Sequence, residues 1–521
     1  MNKEIIIRIS PEDSCNENKI KSLLSESLNI STDDISDFRI KRSSIDARKN
    51  PVLIQLQIEV SVGKEKLAPK VIIQLNYSNV TNSPEVIIVG AGPCGLFAAL
   101  RLIELGLKPI VIERGKDVHE RKKDLALLNK NNPINSESNY AFGEGGAGAF
   151  SDGKLNTRSK KRGNVNRILH IFCFHGADEK ITIEAQPHIG SDKLPIVIEN
   201  IRKTITDCGG EIRFNTKMED LIVKKDKIEG IITQKGEIIR SKAVILATGH
   251  SAQDVYKLLH HKGITIEAKP FAMGVRVEHP QKLIDQIQYH NPDGRGKFLP
   301  PATYSFTTQI RERGVYSFCM CPGGFIVPSM TNASEIVVNG MSPANRNSPF
   351  ANSGFVVEIR LEDMPNYQEH GALAGLFYQK KLEKSCFQIG KKSIIAPAQR
   401  LTDFVKGHIS NDLPDCSYLP GVVSAPVHKI LPVDIYKRLK GAFLLFGKWA
   451  KGFLTEDAVV VGVETRTSSP VRIPRNNDTF QHIQIEGLFP CGEGAGYAGG
   501  IVSSAIDGEI SAQKVSDFLK K

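Results

Sequence analysis

The sequence predicts an α/β chain. A discontinuous Rossmann-like domain carries an inserted, mainly antiparallel β domain and follows a small N-terminal α+β domain. Three observations predict this. Glu85–Gly115 reads EVIIVGAGPCGLFAALRLIELGLKPIVIERG: a buried strand, a glycine turn, a helix and a second strand. Strands and helices alternate after Glu85, as a parallel sheet requires, but strand-like runs dominate from about Lys269 to Gly462. Ile485–Lys521 then returns to strand-then-helix, so the C-terminus is expected to close the domain that Glu85 opens. With 521 residues, 40% hydrophobic and 24% charged, the chain has an ordinary globular composition.

The elements follow in order. Residues 3–9 (KEIIIRI) alternate as a strand, and Asn18–Leu28 places Ile20, Leu23, Leu24 and Leu28 on one helical face. Phe38–Ile45 and Val52–Val60 read as two further strands, with Pro51 at the entry to the second. Tyr77–Pro84 (YSNVTNSP) reads as a linker. Val86–Val89, Leu96–Leu105 and Pro109–Ile112 form the first strand–helix–strand unit, and Ala243–Gly249 (AVILATG) is a later buried strand ending in a glycine turn. Phe271–Val277, Val315–Cys321 and Glu335–Val338 are strands of the insertion, interrupted by a helix over Ala372–Gln388. The expected divisions are 1–80 (N-terminal domain), 84–265 and 466–521 (the two parts of the Rossmann-like domain) and 266–465 (the inserted substrate or cap domain). No repeat or low-complexity tract interrupts them.

Each glycine of Gly90-x-Gly92-x-x-Gly95 has a physical task. Gly90 permits the tight turn, Gly92 lets the backbone approach a pyrophosphate, and Gly95 packs the helix on the strand. The helix N-terminus, opening at Pro93, offers unpaired N–H groups to phosphate. Glu113 ends the second strand 18 residues after Gly95 and is expected to accept from both ribose hydroxyls, with Arg114 beside it. Gly143–Gly148 and Gly494–Gly499 also fit the glycine spacing but lack the following strand and acid.

Two further glycine-rich segments, FGEGGAGAFSDGKL (Phe142–Leu155) and GLFPCGEGAGYAGGIVSSA (Gly487–Ala505), join AVILATG in a combination that resembles the two-domain flavoproteins of the glutathione-reductase and p-hydroxybenzoate-hydroxylase fold group. SIDARK (Ser44–Lys49), SFCMCPGG (Ser317–Gly324), NGMS (Asn339–Ser342), PAQR (Pro397–Arg400) and ETRTSSPVRI (Glu464–Ile473) narrow the likeness. In this order they are similar to the bacterial FAD-dependent dehydrogenase family with a small N-terminal α/β domain, over about residues 36–521. The resemblance implies non-covalent FAD. It assigns Gly145, Gly146, Ser151, Asp152 and Gly153 of the second glycine loop, and Thr248 and Gly249, to cofactor contact. Gly492 belongs to the same set, and Glu493 takes the ribityl chain. Gly499, Gly500 and Ile501 open a helix aimed at the flavin ring. It also argues against an aromatic monooxygenase, which carries A-D-G where this chain has Ala247-Thr248-Gly249.

Candidates for the chemistry lie outside these turns. Cys319 and Cys321, two apart in a strand, are expected on one face. They read either as a redox pair or thiol donor, or as two small buried hydrophobes before a turn; a C-x-C disulfide is sterically demanding. Arg466 reads as an anion holder or as a bridge between domains. Lys154 reads as a cation for the flavin N1 or N5 edge or as part of a surface loop. Cys94, inside the fingerprint, reads as packing. No histidine cluster has metal-ligand spacing, and none of the nine cysteines forms a C-x-x-C pair.

The function expected is an FAD-dependent oxidoreductase with an unidentified small-molecule or protein acceptor. NAD(P)H is a transient co-substrate, because no second complete nucleotide unit is present. The net charge is +11, and Lys154–Arg167 holds six basic residues and no acid. This admits an alternative, a flavoprotein acting on or binding RNA, although no RNA-binding signature accompanies it. A flavin-bound sensor without turnover is a third reading. Met1–Asp13 lacks an apolar core and no segment reaches membrane-spanning length, so a cytoplasmic location is expected.

Overall fold

The computed structural model describes residues 2–69, 73–157 and 163–521. The N-terminal unit contains β1 (Asn2–Ile9), α1 (Glu17–Leu28), β2 (Ile35–Asp46) and β3 (Leu53–Val62). Its antiparallel sheet runs β1-β3-β2. Alternation explains the packing: Ile54, Leu56, Ile58 and Val60 point to a core shared with Ile20 and Leu24 of α1. Asn16 caps α1 by accepting from the Asn18 and Lys19 amides. Ser43 ties this unit to the next through backbone bonds with Ile183 and Ala185.

The second unit opens with β4 (Glu85–Val89), α2 (Pro93–Glu104), β5 (Lys108–Ile112) and α3 (Val118–Leu128). Helices α4 (Val165–Phe174) and α5 (Leu194–Asp207) lead to β6 (Glu211–Arg213). A three-stranded antiparallel meander follows, β7 (Met218–Lys224), β8 (Lys227–Thr233) and β9 (Ile238–Arg240), and then β10 (Val244–Leu246) and α6 (Gln253–His261). Val86 and Ile88 enter one core and Ile87 and Val89 the other, as expected of a strand buried on both faces.

The insertion begins with β11 (Glu267–Ala268) and the long β12 (Phe271–Pro280). It continues through α7 (Gln281–Tyr289), β13 (Thr307–Ile310), β14 (Arg313–Cys321), β15 (Phe325–Pro328), β16 (Val338–Met341) and β17 (Phe350–Ile359). Then come α8 (Ala374–Ile389), β18 (Ala396–Arg400), α9 (Leu401–Lys406), β19 (Val422–Ser424), α10 (Val427–Ile430), α11 (Val433–Trp449) and β20 (Val459–Glu464). Its main sheet runs β13-β14-β17-β12-β20-β18-β19, antiparallel except for the β18–β19 pair. The chain ends with β21 (Val471–Arg472), β22 (Leu488–Pro490) and α12 (Ile501–Leu519).

Strand β22 pairs in parallel with β10, completing a five-stranded parallel sheet ordered β22-β10-β4-β5-β6. The C-terminus thus closes the Rossmann-like domain. One predicted element moves: the strand expected at Glu335–Val338 lies at Val338–Met341. Glu335 is instead a buried carboxylate paired with Arg466 and Lys380, which fixes its backbone outside the ladder. Most of the basic stretch singled out in the sequence, residues 158–162, lies outside the described residues. Arg167 at its end pairs with Glu104 and Glu509.

Candidate active site

The fingerprint turn sits where β4 meets α2. Gly90 has φ +109°, and a Cβ there would stand 2.4 Å from the Ala247 carbonyl oxygen. A Cβ on Gly95 would stand 1.9 Å from the Gly90 oxygen, so helix and strand touch backbone to backbone. At Gly92 the nearest atom to such a Cβ would be the Gly146 Cα at 3.8 Å, which leaves the face of the turn open. Gly92 N-caps α2 without a side-chain cap, with Pro93 in the first turn. Glu113 does not stand free for two ribose hydroxyls. Its carboxylate accepts from the Ala91, Gly115 and Gly143 amides at 2.9, 2.9 and 3.0 Å. A carboxylate has about four acceptor sites, so one remains.

The second glycine loop is built against this turn. Arg121, fully buried on α3, donates to the carbonyls of Asn139, Tyr140, Glu144 and Gly146. Burial pushes its guanidinium down to about 10. Sequence reading missed Arg121 because its partners are main-chain oxygens, which leave no mark in residue types. Gly145 and Gly146 have φ +78° and +58°. Ser151 Oγ donates to the Gly148 carbonyl and accepts from the Gly153 amide.

The third turn follows β10. Thr248 Oγ1 is buried without a hydrogen-bond partner, and a Cβ on Gly249 would meet nothing within 4 Å. Gly249 also forms the floor beneath Gly494, whose Cβ would stand 2.5 Å from its oxygen. Tyr256 donates to the Gly494 carbonyl at 2.7 Å, and Asp507 accepts from the Gly492 amide at 2.7 Å while pairing with Arg475. Glu493 lies 3.7 Å from His250 Nδ1. Gly499 and Gly500 are exposed at the start of α12, which has no side-chain cap. Ile501 packs against Gly148, joining this helix to the second glycine loop. Cys94 and Cys491 approach at the back of the turn, with sulfurs 2.9 Å apart, both buried.

Several residues expected at the cofactor are held elsewhere. Arg114 pairs with Asp254 at 2.5 Å and Glu137 at 3.6 Å and lies over the Phe142 ring. Asp152 gives both carboxylate oxygens to Arg346, at 3.1 and 2.7 Å. Burial opposes its charge, but Lys154 and Arg346 keep its carboxyl below the usual range. Arg466 is enclosed: Nε and Nη2 reach Glu383, Nη2 also reaches Glu335, and Nη1 reaches Thr331. That geometry encloses the guanidinium between two buried carboxylates and a hydroxyl. Lys154 turns away from the glycine turns to donate to the Met320 carbonyl.

Lys154 thereby reaches the backbone between the two thiols, with Asp152 at 3.4 Å. The expected strand alternation fails there: the β14–β17 register shifts between Phe318 and Cys321, and Cys319 has φ +48°. The bulge breaks the flat face on which the two side chains were expected together, and Cys321 Sγ donates to the Cys319 carbonyl at 3.3 Å. Arg276, fully buried on β12, donates to the Cys319 carbonyl at 2.8 Å and lies 3.4 Å from Cys321 Sγ. Glu464 balances Arg276 at 2.8 Å, and burial pushes that carboxyl up to about 7 against the pull of Arg276.

Another buried acid, Glu278 on β12, gives a pH prediction. Burial raises Glu278 from 4.5 to about 7, against hydrogen bonds from Ser417. Between those values the folded state binds the proton and the unfolded chain does not. Stability is therefore expected to fall as pH rises from about 4.5 to about 7, by up to about 1.4 kcal/mol per pH unit, and then level off. Urea titrations across this range are expected to show a shallower slope for Glu278→Gln.

Comparisons with known proteins decide the family. Residues 270–467 match the family described as FAD-dependent protein, C-terminal domain-like. Residues 83–127 match an FAD binding domain, 201–285 match glucose inhibited division protein A, and 1–61 match a domain of unknown function. An uncharacterized protein of Clostridium beijerinckii is 40% identical over 516 residues, covering 96% of each chain. The chain belongs to a bacterial family of FAD-dependent oxidoreductases. A thiamine thiazole synthase of Methanococcus maripaludis is 29% identical over 197 residues, 35% of this chain and 63% of that one. Among solved structures, a geranylgeranyl bacteriochlorophyll reductase-like protein from Thermoplasma acidophilum is 13% identical with TM-score 0.37, covering 84% of this chain and 80% of that one. CtdE in complex with FAD is 13% identical with TM-score 0.32, covering 84% and 88%. Among the described residues of this flavoprotein no helix is long and apolar enough to cross a membrane.

The site fits the cofactor of that family. The open face at Gly92, the uncapped N-termini of α2 and α12 and the unpartnered Thr248 hydroxyl are what an anionic dinucleotide with polar hydroxyls requires.

Proposed function

We propose that this flavoprotein passes electrons through non-covalent FAD to or from a small molecule or protein at the inserted domain, with NAD(P)H as a transient donor. The observation that carries this is one loop, residues 143–155. It begins beside the fingerprint turn, where Gly146 backs onto Gly92, and ends at the thiols, where Lys154 bonds Met320. It joins the fingerprint turn to the strand of the insertion that carries Cys319 and Cys321, beside the buried Arg276–Glu464 pair. When bound, FAD supplies a two-electron carrier. The chain's own contribution is position and charge. Gly92 and the start of α2 would receive the pyrophosphate, the remaining acceptor site of Glu113 a ribose hydroxyl, and Glu493 the ribityl chain. The start of α12 would offer positive potential to the reduced ring.

Anaerobic titration with NADH and then NADPH, following the flavin absorption band, tests the reading. Bleaching by one of them within the mixing time is expected. A band that both leave unchanged, but that dithionite removes, would exclude pyridine nucleotide as donor. A colourless protein that does not take up FAD would overturn the whole reading.

A further inference from the structure

The environment of Cys319 and Cys321 is asymmetric. Cys319 is partly exposed and Cys321 is buried. Cys321 Sγ donates to the Cys319 carbonyl at 3.3 Å, and Arg276 lies 3.4 Å from Cys321 Sγ. Two cations reach the pair from different elements, Lys154 from the second glycine loop and Arg276 from β12. Beside them two buried polar atoms lack partners, Glu464 Oε1 and Asn352 Nδ2. A simple apolar filling by two small side chains explains neither the cations nor the orphaned atoms.

We propose that Cys319 and Cys321 are a redox-active dithiol acting on a disulfide-class substrate, with Cys319 the attacking sulfur and Cys321 the resolving one. The less buried position of the two selects Cys319 for attack, because the substrate sulfur must approach in line. Charge agrees with that order. The neighbouring Cys321 thiol is the main influence lowering the Cys319 thiol. Lys154 and Arg276 add to it, while burial and Asp152 oppose it. Cys321 is pushed up, first by the neighbouring Cys319 and then by burial. Glu464 on β20, and Arg346 and His188 around Asp152, complete the titratable and charged surroundings.

The chemistry balances. The Cys319 thiolate attacks one sulfur of R–S–S–R, forming Cys319–S–S–R and releasing R–S⁻. The Cys321 sulfur then attacks Cys319 Sγ, the second R–S⁻ leaves, and the Cys321 proton passes to a departing thiolate. The substrate is reduced by two electrons, and the two cysteines are oxidised to one disulfide. The bulge is what makes a link between positions i and i+2 reachable, since a flat strand holds such side chains about 7 Å apart. Return to the dithiol takes two electrons and two protons, and for those electrons alone this proposal rests on the electron-transfer reading above.

The test uses the purified FAD-containing protein, reduced and freed of reductant, with 5,5′-dithiobis(2-nitrobenzoate) at pH about 6. There an ordinary thiol, with a pKa of about 8.5, is well under 1% thiolate. A fast release of two aromatic thiolates per chain is expected, at least about 10-fold faster than from the other cysteines. A peptide bearing an internal Cys319–Cys321 disulfide is expected with it. Cys319→Ser is expected to lose the fast phase. Cys321→Ser is expected to release one thiolate and retain the aromatic adduct on Cys319. Lys154→Met is expected to slow the wild-type reaction more at pH about 6 than at pH about 9, where ordinary thiols ionise unaided. Cys15→Ser, removing an exposed thiol, is the control. A fast phase that survives Cys319→Ser, or a wild-type reaction that stops at one thiolate with the adduct still on Cys319, would overturn the proposal. Peptide mapping of the wild-type protein decides the matter even where a variant does not fold. Failure of the electron-transfer reading would appear in the flavin titration and leave this stoichiometry unchanged.

Discussion

Arg466→Ala is expected to destabilise the protein by about 3–5 kcal/mol, read as a lowered urea midpoint, without a separate effect on substrate affinity. The reason is what the guanidinium leaves behind. Glu383 and Glu335 are 0% and 1% exposed and both accept from Arg466 Nη2, at 2.8 and 3.0 Å. Glu383 has one other side-chain donor, Thr465, and Glu335 has Asn332 and a more distant Lys380 at 3.6 Å. Removing the shared cation leaves two like charges facing each other in the core. Arg466→Met combined with Glu383→Gln is expected to recover part of the loss, because the second change removes one of those charges. An anion-holding Arg466 would behave differently: the single variant would keep its stability and lose substrate affinity instead.

Arg466 also shows where the sequence ceases to be informative. Gly90, Gly92, Gly95 and Glu113 were legible because their task is local, a turn whose spacing along the chain is its geometry. The returning strand β22 was legible because a parallel sheet leaves few places for a final strand and helix. Arg466, Arg114 and Asp152 were legible as charged residues near the site, but not as pairs. Their partners Glu383, Asp254 and Arg346 lie 83, 140 and 194 positions away. The bulge at Cys319 was hidden for a related reason. Alternation predicts a shared face, and the register shift against β17 belongs to the pairing of two strands rather than to either alone. Arg276 and Glu464 read as members of a buried strand until the sheet places them against each other and the thiols.

Gly92→Ala is expected to weaken FAD binding by about 10- to 100-fold while leaving the apoprotein at least as stable as the parent. Gly95→Ala is expected to lose both FAD and fold. Gly92 has φ −77° and ψ −177°, a conformation alanine adopts freely. Its new methyl would meet protein no closer than 3.8 Å. Replacing glycine in such a conformation adds about 0.4–1 kcal/mol of stability by restricting the unfolded chain. The same methyl occupies the face over which a pyrophosphate must lie. Losing one charge-assisted hydrogen bond there costs about 1.5–3 kcal/mol, which sets the range of weakening. At Gly95 the methyl would stand 1.9 Å from the Gly90 oxygen, so α2 must leave β4 whether or not a ligand is present. Thermal unfolding of the two apoproteins and quenching of FAD fluorescence on titration separate the cases. An unchanged FAD affinity in Gly92→Ala would mean that the phosphates lie away from this turn. The open face at Gly92 would then be a consequence of close helix–strand packing, and the three glycines would share one structural task instead of dividing two between them.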